Sequence, residues 1–420
     1  MLRRRATAKS ATRKSATRKS ATRKSATAKS VTAKSATAKS STAWSAATKS
    51  STKKPEHRRT VFVFQGGGAL GAYQAGVYEG FAEHNIHPDW MAGVSIGAIN
   101  AALIAGNTVE HRLQRLQDFW TRVSSAIPIT PPSYLDPWRL LLNRLSSTAT
   151  ATFGVPGFFS PRFPGPIFAS DGTPETVSLY DTTPLRETLL ELIDFDLLNT
   201  RAIRLSVGAV NVRTGNSIYF DNRDPNLVFT PEHIMASGAL PPGLPAVRID
   251  DEDYWDGGIV SNTPLWYVLD DDPHLNAMIA QIDLFSARGE PPQNLDEVLE
   301  RQKDIQYSSK TRFNTNRVKE LEGLRTALAH LLKKLPKRLA DDPDVTRLAD
   351  LARGRHLSIV HLINRRMEHS TQSKDYEFSR ATVEALWDAG RNAVHRTLKN
   401  PDWKHACRAE RGMRAFDLTF

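Results

Sequence analysis

The sequence predicts an α/β fold built on a mainly parallel sheet, and three observations carry that expectation. Apolar runs of strand length alternate with stretches of helical periodicity along most of the chain. Two strand-turn-helix units follow one another, over residues 61–81 and 90–105. The 420 residues are 40% hydrophobic, enough to bury a sizeable core as one large or two modest domains.

The first strand is preceded by a different kind of sequence. From Ala8 the chain repeats every five residues (AKSAT, RKSAT three times, AKSVT, AKSAT, AKSST) before decaying through AWSAA and TKSST. A period of five matches neither the helix nor the strand, so no apolar face forms and residues 1–58 are expected to be a disordered tail. Residues 1–59 hold 18 Lys and Arg and one acid, Glu56, a local charge of +17 that leaves −6 for the rest of a chain whose formal net charge is +11. The polyanion signature therefore belongs to the tail, which suits peripheral contact with an anionic membrane, nucleic acid or another polyanion. The tail is Arg-rich and nearly acid-free like a mitochondrial transit peptide but lacks the amphipathic helix of one, and it has no apolar core of a secretory signal. No run of about 18 or more apolar residues occurs, so no transmembrane helix is expected. A cytoplasmic or membrane-peripheral bacterial protein is the expectation. The single cysteine, Cys407, excludes an intramolecular disulfide framework and a Cys-based zinc site.

Residues 59–290 are expected to form the catalytic domain. Val61–Gln65 reads as a strand, and Leu70, Tyr73, Val77 and Phe81 then fall at helical spacing. Trp90–Val94 is the second strand and Ile96–Ala105 the second helix, with Gly106-Asn107 suited to a left-handed cap. Residues 125–178 are rich in Pro and aromatics, with little periodicity apart from Trp138–Leu145, and read as an irregular insertion. Its rings suit an acyl-chain pocket or lid, or simple packing of a surface excursion onto the body. Pro184–Ile193 is a short helix. RLSVGAVNV and NSIYF are two strands about a turn at Thr214-Gly215, and Thr230-Pro231-Glu232 starts a helix. AMIAQIDLF, residues 277–285, is a strand. Residues 291–420 are expected to be a mostly helical extension packed on the core: helical and charged over Leu295–Lys334, a strand at RHLSIVHLI, then an amphipathic helix over Tyr376–Leu398.

Three short patterns carry chemistry. VFVFQGGGALGAY places Gly66, Gly67 and Gly68 between a strand and a helix, and Gly66, Gly68 and Gly71 satisfy the dinucleotide fingerprint GxGxxG. Glycines before a helix equally present bare N–H groups to an oxyanion. A dinucleotide site needs an acid at the end of the next strand, whereas here that strand ends in Ser95 and Asp89 precedes it. Gly93-Val94-Ser95-Ile96-Gly97 is GxSxG on a strand-turn-helix, with Gly93 and Gly97 letting neighbouring backbone pass the nucleophile turn. His330, His356, His361, His369, His395 and His405 follow the serine, but all lie in charged helix or ordinary strand. In YWDGGIVSNTPL, Asp256 precedes the tight turn Gly257-Gly258, and a carboxylate beside Trp255 and Tyr254 could be desolvated into a general base.

A glycine-rich strand-to-helix turn, a GxSxG elbow and an Asp-Gly-Gly turn, in that order, resemble the patatin-like phospholipase family, and ASGALPPGLPAV at residues 236–247 resembles its proline-rich segment. The resemblance spans roughly residues 60–270. It implies a three-layer α/β/α fold and a serine lipid acyl hydrolase working through an acyl-enzyme. It also implies a Ser95–Asp256 dyad, an oxyanion hole at Gly66, Gly67 and Gly68, and a lipid or other hydrophobic ester as substrate, with no cofactor and no metal. Many members carry a basic residue where this chain has Leu70, which leaves headgroup preference open. The alternative from another class is a polyanion- or granule-binding protein whose tail is the function and whose hydrolase core is a scaffold.

Overall fold

In the computed structural model, which describes residues 58–128, 136–163, 165, 177–272, 274–309, 311–353, 355–365, 373–406 and 412–417, strand β1 (Arg59–Phe64) sets the architecture. Its β-branched and aromatic residues suit a pleated strand buried on both faces. Phe62 and Phe64 point into one core, and Val61 and Val63 into a second core on the opposite face, all fully buried. The first core receives α1 (Ala72–Ala82), α2 (Ile96–Ala105) and α3 (Val109–Val123). Between α1 and α2 runs β2 (Trp90–Val94), which pairs with β1 in parallel. Every residue of α2 is buried, which explains why its sequence, IGAINAALIA, is apolar on all sides apart from Asn100.

The chain then forms α4 (Asp136–Phe153), the two-residue strands β3 (Ser160–Pro161) and β4 (Tyr180–Asp181), α5 (Thr183–Leu192) and α6 (Phe195–Asn199). The segment expected to be irregular thus contains an 18-residue helix. Pro137 stands at the second residue of α4, where a missing N–H is tolerated, and the other prolines of residues 125–178 lie outside the helix. The Gly106 turn also departs from expectation. Its φ is −92°, not left-handed, and the helix end is closed by Asn107, whose Nδ2 donates to the carbonyls of Leu103 and Leu192.

β5 (Arg204–Asn211) pairs in parallel with β2 and in antiparallel fashion with β6 (Ser217–Asp221), as the turn at Thr214-Gly215 requires. After α7 (Pro231–Ser237), opened by Pro231 behind a Thr230 capping box, come β7 (Val247–Ile249), β8 (Glu252–Asp256) and α8 (Leu265–Asp271). Leu265, Val268 and Leu269 of α8 fill the second core against Val61 and Val63, which covers the other face of the sheet. β9 (Ala277–Asp283) flanks β1 on the side away from β2.

Residues beyond 290 continue the same sheet. After α9 (Leu295–Tyr307), α10 (Thr311–Leu332) and α11 (Pro343–Leu351), strand β10 (His356–Ile363) pairs with β9. Helices α12 (Arg380–Lys399) and α13 (Pro401–Ala406) follow, and β11 (Gly412–Asp417) forms the edge. The strand order is β11-β10-β9-β1-β2-β5-β8-β7 with β6 beside β5, and the six strands from β11 to β5 run parallel. Helices cover both faces, a three-layer α/β/α arrangement with a mainly parallel sheet.

Helix α12 docks on α1 at backbone contact. A Cβ at Gly76 would stand 1.9 Å from the Trp387 carbonyl oxygen, and one at Gly390 would stand 2.1 Å from that of Tyr73. The described residues, from Arg58 on, form one compact unit, and the repeat in residues 1–57 lies outside the described residues.

Candidate active site

The C-terminal ends of β1, β2 and β9 converge, since Phe64 is in register with both Gly93 and Ile282. Ligand sites of parallel sheets form at that edge. β2 ends at Val94, and Ser95 turns the chain into α2 with φ 57° and ψ −129°. A non-glycine residue there stores strain of about 1–3 kcal/mol, which the surroundings must impose. They do so at close range: a Cβ at Gly93 would lie 2.4 Å from the Gly97 carbonyl oxygen, and one at Gly97 would lie 2.6 Å from that of Phe64. Only glycine at both positions lets the elbow pack against β1.

Ser237, fully buried at the end of α7, braces the turn from below. Its Oγ accepts the Ser95 backbone N–H at 2.9 Å and donates to the Gly208 carbonyl at 2.5 Å. The serine of the proline-rich segment thereby acquires a structural reason.

Asp256 ends β8, held to β5 opposite Ala209. Gly257 packs against the Gly208 carbonyl, and Gly258 donates its N–H to Asp256 Oδ1 at 2.7 Å. The carboxylate is 2% exposed. Burial pushes its pKa up to about 6, opposed by hydrogen bonds from the Ser95 side chain and the Gly258 N–H. The Ser95 hydroxyl and the buried Asp256 carboxylate are therefore hydrogen-bonded partners in one site.

The glycine loop is positioned by a buried polar hub. Gln65 Oε1 accepts the N–H groups of Leu284 (2.6 Å) and Phe285 (2.9 Å), while its Nε2 donates to Thr263 Oγ1 and to the Tyr307 carbonyl, both at 2.9 Å. Behind it, Gln74 donates to the Gln65 carbonyl, and Asn100 donates to Gln74 Oε1 and the Gly71 carbonyl. Asn262 closes the other side: its Nδ2 donates to the Gly66 carbonyl (3.1 Å) and the Tyr307 carbonyl (3.0 Å).

One sequence expectation changes here. The Gly66 N–H donates to the Asn262 carbonyl at 3.2 Å, so it is already engaged and cannot also serve an oxyanion. Among the described residues, the N–H groups of Gly67 and Gly68 have no acceptor. Gly68 has φ 54°, and a Cβ there would meet the Asp375 carbonyl oxygen at 2.2 Å, which excludes any other residue.

These groups open onto a cavity of about 290 Å³. Phe158 and Phe159 of the Pro/aromatic segment form one wall with Tyr180 of β4, and Leu240 and Leu244 of the proline-rich segment form another. The third comes from beyond residue 290: Lys303 and Tyr307 of α9, and Asp375, Tyr376 and Phe378 around the short turn Lys374–Tyr376. Lys374 fastens that turn to α9 through Glu300 (3.2 Å) and Asp304 (2.6 Å), and Lys303 pairs with Asp375 at 2.7 Å. A basic side chain therefore does reach the site. It arrives from α9, while Leu70 is buried in the core.

No histidine lines this cavity among the described residues. His330 lies on α10, His356 and His361 on β10, and His395 of α12 contacts Glu83 at 2.6 Å; His369 is outside the described residues, and His405 falls in α13. Among the described residues, Glu83, His84 and His395 form the one group with ligand atoms close enough for a metal ion, away from the cavity, and Arg391 already occupies the Glu83 carboxylate. No helix there is long and apolar enough to cross a membrane.

A family model described as patatin-like phospholipase matches residues 62–269, and a second, described as patatin phospholipase, matches residues 305–410. Comparison with curated proteins finds no match. Among solved structures the chain is similar to VipD from Legionella pneumophila, at 13% identity and a TM-score of 0.31 over 79% of this chain and 67% of that one. It is also similar to the type III effector protein ExoU, at 15% identity and a TM-score of 0.22 over 70% of this chain and 62% of that one. The chain thus spans about two thirds of the length of each.

Proposed function

Since this chain belongs to the patatin-like phospholipase family and is a lipid ester hydrolase, we propose that Ser95 and Asp256 form a catalytic dyad working through an acyl-enzyme. The observation that carries the proposal is the pairing of a strained, cavity-facing serine with a buried carboxylate of raised pKa. Ser95 Oγ attacks the ester carbonyl carbon, and its proton passes to Asp256. The N–H groups of Gly67 and Gly68 hold the oxyanion. Collapse of the tetrahedral intermediate breaks the bond to the alcohol, which leaves with the proton from Asp256. Water then attacks the acyl carbon while Asp256 takes its proton, and the fatty acid departs as Ser95 recovers that proton.

A pKa of about 6 suits this work, because the carboxylate is ionised at neutral pH yet a far better base than an exposed aspartate. The aromatic and aliphatic walls support a hydrophobic acyl group, and about 290 Å³ lies at the lower end of small-molecule pockets, which favours one acyl chain at a time. In this reading residues 59–290 supply the dyad and the glycine loop, and residues 291–420 complete the wall. The basic tail supports a peripheral role on anionic surfaces, tested by salt-sensitive vesicle binding that tail deletion removes. The polyanion-binding alternative, with the core as mere scaffold, is not favoured by a chain that belongs to a hydrolase family. Hydrolysis of short and long p-nitrophenyl esters by wild type, Ser95→Ala and Asp256→Ala tests the dyad: both variants should lose turnover, and a near-normal rate in either would overturn it.

A further inference from the structure

Among the described residues that line the cavity, Lys303 is the one lysine or arginine and Asp375 the one carboxylate besides Asp256. They lie 2.7 Å apart, with side chains 25% and 14% exposed, and both come from beyond residue 290. The ammonium also stands 5.6 Å from the ring centre of Tyr376, which lines the cavity together with Tyr307. The hydrolase core thus meets a strongly dipolar ammonium–carboxylate pair, bordered by aromatic faces, in the same cavity as Ser95.

That arrangement discriminates among headgroups. A singly anionic headgroup would draw Lys303 away and face the shielded Asp375 carboxylate with a like charge. An uncharged alcohol gains nothing from either group. A zwitterion satisfies both, its anion taking Lys303 and its cation taking Asp375, and the tyrosine faces favour a quaternary amine. We propose that the region beyond residue 290 builds a headgroup subsite for zwitterionic phospholipids, with phosphate on Lys303 Nζ and the amine on Asp375. The proposal rests on the Ser95–Asp256 hydrolase reading of the same cavity.

The test compares kcat/KM for dihexanoyl-phosphatidylcholine, dihexanoyl-phosphatidylglycerol and dihexanoylglycerol, all below micelle formation. Wild type should prefer the choline lipid over the glycerol lipid by about tenfold, the size of one charge-assisted contact. Asp375→Asn should collapse that ratio toward one. Lys303→Met should lower both phospholipids about tenfold relative to dihexanoylglycerol, and Lys303→Arg should restore them. A merely structural ion pair moves neither ratio, so variants that slow all three esters in parallel overturn the subsite, as does a wild type indifferent to the headgroup. Failure of the underlying hydrolase reading shows differently, as dihexanoylglycerol hydrolysis that is absent in wild type or persists in Ser95→Ala, and it overturns the subsite as well.

Discussion

Acid titration of Asp256 should be visible in turnover. With its pKa pushed up to about 6, the carboxylate is nearly all ionised at pH 8, whereas at pH 5 only about one part in eleven is. Since only the carboxylate can accept the Ser95 proton, kcat/KM should fall about tenfold between pH 8 and pH 5, with a midpoint near 6. An aspartate at the ordinary value of 3.8 would lose less than about a tenth of its activity over the same range. The assay is hydrolysis of p-nitrophenyl butyrate, read at the isosbestic wavelength of p-nitrophenol so that the product's own titration does not intrude. A midpoint below about 4.5, or a flat profile to pH 5, would refute the argument that burial tunes this base.

The same shift has a stability sign. Between the ordinary value of 3.8 and the folded value of about 6, the native state binds the proton more tightly than the unfolded chain, so stability falls as pH rises through that window. Asp256→Asn should therefore raise unfolding free energy at pH 8 by about 1–3 kcal/mol and by little at pH 4, measured by urea denaturation, while turnover is lost. Asn262→Ala removes the donor shared by the Gly66 and Tyr307 carbonyls and should lower kcat about ten- to a hundredfold with a smaller effect on KM. A change confined to KM would contradict that loop-positioning role. Ser237→Ala leaves the Ser95 N–H and the Gly208 carbonyl unpaired below the elbow and should cost about 1–3 kcal/mol in urea titration, together with activity. Gly76→Ala forces a methyl group to within 1.9 Å of the Trp387 carbonyl and should destabilise by about 1–3 kcal/mol or more, read the same way.

What sequence reasoning recovered followed from periodicity and local geometry. The strand Trp90–Val94 and helix Ile96–Ala105 coincide with expectation because the GxSxG turn leaves no freedom in where one ends and the other begins. The hairpin about Thr214-Gly215 and the helix after Thr230-Pro231 were equally legible, each marked by turn or capping residues. Helix α4 contains the periodic stretch Trp138–Leu145 but runs on to Phe153, because SSTATA, residues 146–151, carries no apolar period, and Pro137 reads as a breaker unless its place in the first turn is known. The engaged Gly66 N–H escaped notice because its acceptor is a backbone carbonyl 196 residues away, and a carbonyl carries no residue signature. For the same reason the role of α9 was invisible: Tyr307 acts on Gln65 and Asn262 through its main-chain oxygen. Lys303 sits in a charged helix where one lysine looks like any other, and only the Lys374–Tyr376 turn folding back over the glycine loop gives it a place in the cavity.

The most direct test of the dyad is to catch the acyl-enzyme. Wild type mixed with p-nitrophenyl butyrate and acid-quenched within milliseconds should show a burst of p-nitrophenol, with intact mass increased by one butyryl group localised by peptide mapping to Ser95. Asp256→Ala should show neither burst nor adduct. A butyryl adduct on another residue, or undiminished acylation in Asp256→Ala, would contradict the account.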